Sequence, residues 1–190
     1  QYPNANMLLL NVPRSTILFE QYVMNTITGS WCKFTGWNAS CWELFNDEIY
    51  YGGSAEVRKA WSGNNDDGAN ITAEVIPAFN YFDSNFQKRF MMARPIFLST
   101  GTPSILMSIN TDYTTTAPTG TPSPQASTDG YWDVDKWEEA SWGGDFQIQK
   151  QWFTVTGVGF SATLHIQFRS NASIVKWLSS DFVYENGAVI

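Results

Sequence analysis

Short apolar-rich stretches follow one another in the first third of the chain, with polar turn residues between them. One stretch runs from Gln21 to Asn25, turns through Thr26 to Gly29, and returns from Trp31 to Phe34. Two apolar-rich stretches around a short turn are typical of paired strands, and a glycine supplies the positive φ that such a turn requires. The pattern therefore predicts an antiparallel β-hairpin.

A second hairpin is predicted directly after the first. Its strands are Cys41 to Phe45 and Ile49 to Gly53, joined by Asn46-Asp47, two residue types that tolerate left-handed backbone. Further short strands are predicted at Val57 to Ala60 and at Met7 to Val12. Six strands make about one and a half blades of a β-propeller, which has roughly four strands per blade and at least four blades. We therefore expect propeller-like hairpins that belong to a larger propeller or hub.

A polar, glycine-bounded loop, SGNNDDG, separates these hairpins from longer predicted strands. We predict one domain over residues 1–65 and a second over residues 66–190. The strands predicted in the second domain are Ile71 to Phe82, Arg89 to Ser99, Ile105 to Tyr113, Phe153 to Phe168 and Ile174 to Tyr184. The predicted fold class is all-β, with propeller-like blade hairpins followed by an antiparallel β-sandwich.

Three residues refine the predicted strands. Pro77 and Pro95 fall inside two of them, and because proline has no N–H to donate, we expect those strands to be edge strands or bulged ones. The only histidine, His165, alternates with the apolar residues Leu164 and Ile166. Because alternate residues of a strand lie on opposite faces, we expect His165 to face solvent.

A stretch rich in Pro, Thr, Ser and Gly, residues 114–130, contains no core-forming residues. It predicts an exposed, mobile loop, either plainly disordered or a contact arm for a neighbouring subunit or host surface. Trp132, Trp137 and Trp142 follow at steps of five residues. Because five residues turn a helix by about 140°, these tryptophans would not share a helical face. They are candidates for packing, subunit contact or glycan stacking.

Composition and charge narrow the classes of function. Aromatic residues make up 16% of the 190 residues and charged residues only 15%, a balance typical of β-rich proteins. The net charge is −7 and the longest basic run is Lys88-Arg89, which argues against sequence-specific nucleic-acid binding. No apolar stretch approaches the roughly 20 residues of a membrane span, and no signal peptide is visible. The chain begins at Gln1 without methionine, so we expect a longer polypeptide.

Catalytic and metal sites have little support in the sequence. Cys32 and Cys41, nine positions apart, are the only cysteines. A disulfide between neighbouring strands is conceivable, but the favoured interpretation is two small buried residues without a bridge, since two cysteines fall short of a disulfide framework or a zinc spacing. The acidic run that follows Trp132 offers paired carboxylates, as glycosidases use, yet such a run is more often a solvated turn. We predict no enzyme activity, no metal and no cofactor.

Several strings of residues together resemble the C-terminal part of a family of tailed-phage and prophage proteins. They are GSWCKFTGWN at 29–38, FNDEIYYGG at 45–53, KRF at 88–90, RP at 94–95, and the WD, KWE and WGG elements at 132–144. The family comprises virion proteins similar to the tail nozzle or tail hub of short-tailed phages. The resemblance runs in order over nearly the whole chain.

This resemblance implies a structural protein of the virion tail, assembled in the cytoplasm of the bacterial host. It implies a ring of identical subunits, commonly six, that continues the channel of the portal and adaptor proteins and lets the genome pass without sequence-specific binding. The alternative is a carbohydrate- or receptor-binding module of a phage tail tip, with Trp132, Trp137 and Trp142 as an exposed platform. The structural residues predicted at the blade turns are Gly29, Trp31, Gly36, Trp37, Gly52 and Gly53.

Overall fold

The structure, a computed structural model, describes residues 1–53, 55–122, 146–171 and 173–187. Within these residues the chain forms antiparallel β-strands and one short 3₁₀ turn at Pro3–Ala5, without an α-helix. The prediction of an all-β chain is confirmed. The chain divides into two compact units, Gln1–Gly63 and Asn64–Ile190.

The first sheet of unit 1 consists of three consecutive strands, β1 (Met7–Pro13), β2 (Phe19–Asn25) and β3 (Trp31–Phe34). Asn25 organises the turn between β2 and β3, because its side-chain oxygen accepts hydrogen bonds from the amides of Ile27 and Thr28. Gly29 closes the turn with a φ of 71°, in the left-handed region that favours glycine. The predicted first hairpin is therefore present.

The second sheet of unit 1 also consists of three consecutive strands, β4 (Cys41–Phe45), β5 (Glu48–Gly53) and β6 (Glu56–Lys59). Asn46 and Asp47 form the turn between β4 and β5 with φ values of 49° and 60°, as a two-residue hairpin turn requires. The resulting register places Trp42 opposite Tyr51. Both sheets contribute to one buried cluster, which contains Tyr2, Met7, Val23, Ala39, Ile49, Tyr51 and Ala60.

Unit 2 contains seven strands: β7 (Ile71–Val75), β8 (Lys88–Ser99), β9 (Ile105–Thr111), β10 (Gln147–Lys150), β11 (Phe153–Gly159), β12 (Ala162–Ser170) and β13 (Val175–Asn186). In one sheet, β13 pairs along the whole of β8, while β10 and β11 share the other edge of β8. The other sheet has the order β7-β12-β9. All of these pairings are antiparallel.

One buried cluster of unit 2 draws on both sheets. Its fully buried members are Phe90, Ala93, Phe97 and Val155 from the β8 sheet and Ala162, Leu164 and Ile166 from the β12 sheet. The alternation predicted along β12 accounts for the second group, because every other residue of the strand faces this core. The sheets of the described residues do not close into a barrel or a propeller.

Two of the predicted strands differ from the structure by more than two residues at one end. The prediction of one strand from Phe153 to Phe168 is wrong, since β11 and β12 are separated by a tight turn at Phe160-Ser161. The side chain of Asp112 accepts hydrogen bonds from both amides of this turn. The strand predicted from Ile71 to Phe82 ends at Val75, two residues before Pro77.

Pro95 lies in the middle of a sheet, so of the two expected alternatives the edge strand is wrong for it and the bulged ladder is present. The ladder around Pro95 is nevertheless irregular. Its partner in β13 is Ser180, next to a register shift between Trp177 and Ser179. On the other edge, Pro95 lies opposite the break between β10 and β11. The missing N–H is therefore accommodated at an interruption of the ladder.

The first nine residues of the predicted mobile loop are anchored to unit 2. We call residues 114–122 the strap. Pro118 and Pro122 are buried, and the Thr116 carbonyl accepts a hydrogen bond from Ser108 Oγ at 3.1 Å. The strap therefore lies over β9 on the face opposite the shared core. The rest of the predicted loop lies outside the described residues.

Candidate functional site

Five aromatic side chains of unit 1 form a continuous group, which we call the aromatic cluster. The Trp37 ring lies parallel to Tyr51 at 5.5 Å, is tilted against Trp42 at 5.6 Å, and meets Phe34 edge to face at 5.2 Å. Trp61 stacks on Phe34 at 6.0 Å with the two planes 4° apart. Each such pair stabilises a fold by about 0.5–1.5 kcal/mol beyond area burial. Trp37 is thus a packing residue, half-buried and in contact with three of the other four rings.

Polar and backbone groups hold this cluster in place. Trp42 donates a hydrogen bond from Nε1 to Asn11 Oδ1 at 2.8 Å, which links β4 to β1. Gly36 has a φ of 91°, so the chain can turn directly before Trp37. Trp37 therefore follows directly after the bend at Gly36, and its side chain has a role in packing.

Two tryptophans of unit 1 are half exposed, Trp31 and Trp61, each at 53%. Trp61 has a φ of 56°, a left-handed conformation that is unusual for a bulky residue and is found where surrounding structure enforces it. Other apolar side chains exposed on this unit include Leu44, Phe45 and Val57. Unit 1 therefore presents apolar side chains that its own core does not use.

Gly52 and Gly53 are required by close approach. A Cβ on Gly52 would lie 2.9 Å from Cys41 Sγ, and one on Gly53 would lie 2.6 Å from the backbone oxygen of Asn38. The second contact is with backbone, which cannot move aside as a side chain can. Gly29 differs, because a Cβ there would meet nothing within 4 Å and only its φ favours glycine.

Exposed ion pairs join neighbouring strands of unit 1. Lys33 Nζ lies 2.7 Å from Glu20, and Lys59 Nζ lies 2.5 Å from Glu48. The hydrogen bond from Lys33 lowers the pKa of Glu20, and the hydrogen bond from Lys59, supported by one from Tyr50, lowers the pKa of Glu48. Because these groups are solvent-exposed, the pairs favour strand register more than overall stability.

Lys88, the first residue of the KRF string, is fully buried at 0% exposure. Its ammonium group donates to the backbone oxygens of Ser84 at 2.7 Å, Phe86 at 2.8 Å and Phe160 at 3.0 Å. A buried charge persists when such hydrogen bonds replace its water. Lys88 therefore ties the segment before β8 to the turn between β11 and β12.

Arg94, from the RP string, faces the opposite side of β8 from the shared core. Its Nε and one terminal nitrogen donate to Asp181 on β13, at 2.9 and 2.5 Å. The guanidinium also lies 4.7 Å from the ring centre of Trp152, a cation–π contact. These contacts fasten β8 to β13 and to the segment between β10 and β11.

The prediction that His165 faces solvent is wrong. Its side chain does lie on the face of β12 opposite Leu164, but it is only 2% exposed. The strap covers it, with the Thr116 carbonyl 3.0 Å from Nδ1, and Glu74 of β7 lies 2.5 Å from Nε2. Alternation gave the correct face, and the covering segment came from a stretch without any apolar pattern.

Aromatic side chains also gather on the surface of unit 2, in a group that we call the tyrosine patch: Phe79, Tyr81 and Tyr113. The two tyrosine hydroxyls lie 3.1 Å apart, and the rings of Phe79 and Tyr113 lie 4.8 Å apart. Tyr113 is 65% exposed, and the hydrogen bond with Tyr81 raises its pKa. Exposed rings beside hydroxyl groups suit a ligand with both apolar faces and polar edges, such as a sugar.

The chain matches no protein-family model and no curated protein. The functional interpretation therefore depends on the residues described above and on the resemblance noted in the sequence.

A shallow, open groove of about 330 Å³ lies beside the bulge of β13. Its lining carries apolar and neutral polar side chains and no ionisable group, so the groove suits an apolar or neutral ligand better than a phosphate. The residues that line it include Pro77, Asn80, Thr163, Trp177, Leu178 and Phe182.

Among the described residues, no group of three or more His, Cys, Asp or Glu side chains could hold a metal ion. Cys32 and Cys41 are both free and exposed, so the expectation that they are buried is wrong. Partial burial raises the pKa of the Cys32 thiol. No described helix is long and apolar enough to cross a membrane.

Trp132, Trp137 and Trp142 lie outside the described residues, as does the acidic run among them. The sequence reasoning missed the aromatic partners of Trp37. The turn at Asn46-Asp47 was a signal for one of these contacts, since a two-residue turn fixes the register that places Trp42 opposite Tyr51. The tyrosine patch had no comparable signal.

Proposed function

We propose that the chain is a structural subunit of the tail nozzle or hub of a short-tailed bacteriophage. The observation that carries this proposal is the pair of three-stranded antiparallel sheets in unit 1, each built from consecutive strands. A propeller blade has about four strands. In this proposal the two sheets are incomplete blades, and strands elsewhere in a longer polypeptide complete the propeller.

The residues that carry the family resemblance also support the proposal. Gly53 of the string FNDEIYYGG leaves no space for a side chain, Lys88 of KRF is a buried connector, and Arg94 of RP fastens β8 to β13. These three residues have structural roles in the fold, which agrees with a protein that acts through assembly. Unit 2 would then be the β-sandwich domain of the subunit.

Charge and exposed apolar surface fit a channel-forming ring. Thirteen of the 18 acidic residues and seven of the 11 basic residues follow Gly63, which leaves unit 2 with a net charge of −6. An acidic wall would repel phosphates and let the genome slide past without sequence-specific binding. We propose a homo-oligomeric ring, of six subunits in the family, that contacts the portal, the adaptor and other tail proteins in the virion. No cofactor takes part.

The oligomeric state tests this proposal. We would measure the mass of the purified full-length protein by light scattering and image it by negative stain, alone and mixed with portal and adaptor proteins of a short-tailed phage. Val57→Glu places a charge at an apolar side chain that is 78% exposed on β6, while Thr35→Glu makes the same change at an exposed polar site. We expect rings that only Val57→Glu weakens. A single-chain mass in every mixture would contradict the proposal.

The tyrosine patch favours a second candidate function, a carbohydrate- or receptor-binding module of a tail tip. Here the probe is a set of purified bacterial surface polysaccharides, with binding measured by calorimetry. Tyr113→Ala removes the most exposed ring of the patch, and Phe86→Ala removes a similarly exposed ring outside it. Binding that is lost with the first variant and kept with the second supports this function. If none of the polysaccharides gives a heat of binding, the result contradicts it.

A further inference from the structure

His165 is buried between two hydrogen-bond acceptors. On one side, Nδ1 lies 3.0 Å from the backbone oxygen of Thr116 in the strap. On the other side, Nε2 lies 2.5 Å from Oε1 of Glu74, whose side chain is half exposed. A carbonyl oxygen only accepts hydrogen bonds, and so does an ionised carboxylate. The ring therefore needs a proton on each nitrogen to satisfy both partners.

The pair formed by His165 and Glu74 consequently holds one proton more than a neutral imidazole beside an ionised carboxylate. That proton lies on Nε2 or on the carboxyl group, and in either position both hydrogen bonds are made. When it leaves, one N–H remains for two acceptors. A neutral imidazole then bonds to either the strap or Glu74, and the other ring nitrogen points its lone pair at an oxygen.

We propose that His165 and Glu74 form a pH-sensitive clamp on the strap. In the protonated state, the clamp holds the Thr116 carbonyl and keeps residues 114–122 against β9 and β12. In the deprotonated state, the strap loses this donor. Imidazole is the side chain whose ordinary pKa lies nearest to neutral, so a histidine is the residue type suited to such a clamp.

The remaining N–H stays with Glu74 rather than with the strap. A hydrogen bond to a carboxylate is about twice as strong as one between neutral groups. The proton therefore leaves from Nδ1, and its lone pair then faces the Thr116 oxygen at 3.0 Å. Ser108 Oγ still donates to the same oxygen, so the strap loosens without losing every contact.

Few other charges surround this clamp. Glu74 is the only ionisable residue of β7, and β9 and the strap contain none. On β12 itself, Arg169 lies on the same face as His165, four residues further along, with its Nε buried and unpartnered among the described residues. Arg169 and Glu74 are therefore the charged residues of β12 and β7 on the face of the sheet that carries His165.

Nuclear magnetic resonance tests the clamp directly, because His165 is the only histidine of the chain. We would follow the two ring N–H signals of His165 and the backbone carbonyl signal of Thr116 from pH 5 to 8. At low pH we expect both ring protons and a Thr116 carbonyl shift typical of an oxygen that accepts the ring hydrogen bond. At high pH we expect one ring proton, on Nε2, and a Thr116 carbonyl signal that moves in step with the loss of the Nδ1 proton.

Glu74→Gln separates the clamp from a general effect of pH. The amide of glutamine can donate to a neutral Nε2, so Nδ1–H stays on Thr116 and the Thr116 carbonyl signal becomes independent of pH. Glu185→Gln, at an exposed site on β13, should keep the wild-type pH dependence. A Thr116 carbonyl signal that is constant while the wild-type ring loses its proton would overturn the proposal, and so would Glu74→Gln with unchanged pH dependence. Exchange of β8 amides reports whether each variant is folded.

Discussion

Replacing Lys88 by methionine removes an ammonium group and keeps a side chain of similar length. Three backbone oxygens lose their donor. Hydrogen bonds to a charged group contribute about 1.5–3 kcal/mol each, so the gross loss is about 4.5–9 kcal/mol. The variant recovers the desolvation penalty of the buried ammonium, which is several kcal/mol. The expected net loss of unfolding free energy is about 2–4 kcal/mol, a large part of the roughly 5–15 kcal/mol of an ordinary domain.

The assay is urea unfolding followed by amide exchange in β8 and β12, which reports on unit 2 alone. Arg89→Met is the matched control, because it removes the same charge from the next residue of the chain, which is exposed. We expect the control to change the unfolding free energy by less than about 0.5 kcal/mol. If Lys88→Met unfolds at the same urea concentration as Arg89→Met, the three hydrogen bonds do not stabilise unit 2 and the reasoning is refuted.

Three further predictions concern unit 1. Gly53→Ala forces a Cβ against backbone and should reduce the free energy of unfolding by about 1–3 kcal/mol. This loss should appear as a lower thermal midpoint in circular dichroism. Trp37→Ala should cost about 3–5 kcal/mol in urea unfolding, whereas Trp31→Ala, at an exposed ring, should cost less than about 0.5 kcal/mol. The pKa of Glu48 is lowered by Lys59, so their pairing contributes stability above the unfolded-state pKa and loses it as the pH falls through the folded-state pKa. Glu48→Gln should therefore reduce the loss of stability between pH 7 and pH 3, and an unchanged acid dependence would count against the pairing.

The hairpins of unit 1 could be predicted from the residue types in their turns. The turn at Gly29 and the turn at Asn46-Asp47 are both present, because positive φ is a property of single residues that the sequence displays. The register of β4 and β5 follows from the second turn. Such features depend on contacts between residues that are close in the chain, and sequence patterns report those contacts well.

Features that depend on distant residues could not be predicted. His165 is on the expected face of β12, yet Thr116 and Glu74, 49 and 91 residues away, bury it. From the sequence alone, Lys88 would be expected at the surface. The residues near it in the chain do not indicate that Phe160, 72 residues later, supplies a backbone acceptor. The aromatic cluster could not be predicted in full for a similar reason. Trp61 stacks on Phe34 in a left-handed backbone conformation that no local sequence pattern indicates.

The outer edge of β13 also affects how the chain behaves at high concentration. β13 has 12 residues, and in the described part of the chain β8 is its one partner. A long, regular strand with a free edge acts as a template on which other chains add strands and grow into fibres. The extra residue Leu178 and a second register shift bend β13, and Lys176, Asp181 and Glu185 place charges along it. This edge is therefore a poor template, and concentrated solutions of the chain should resist fibre growth from it.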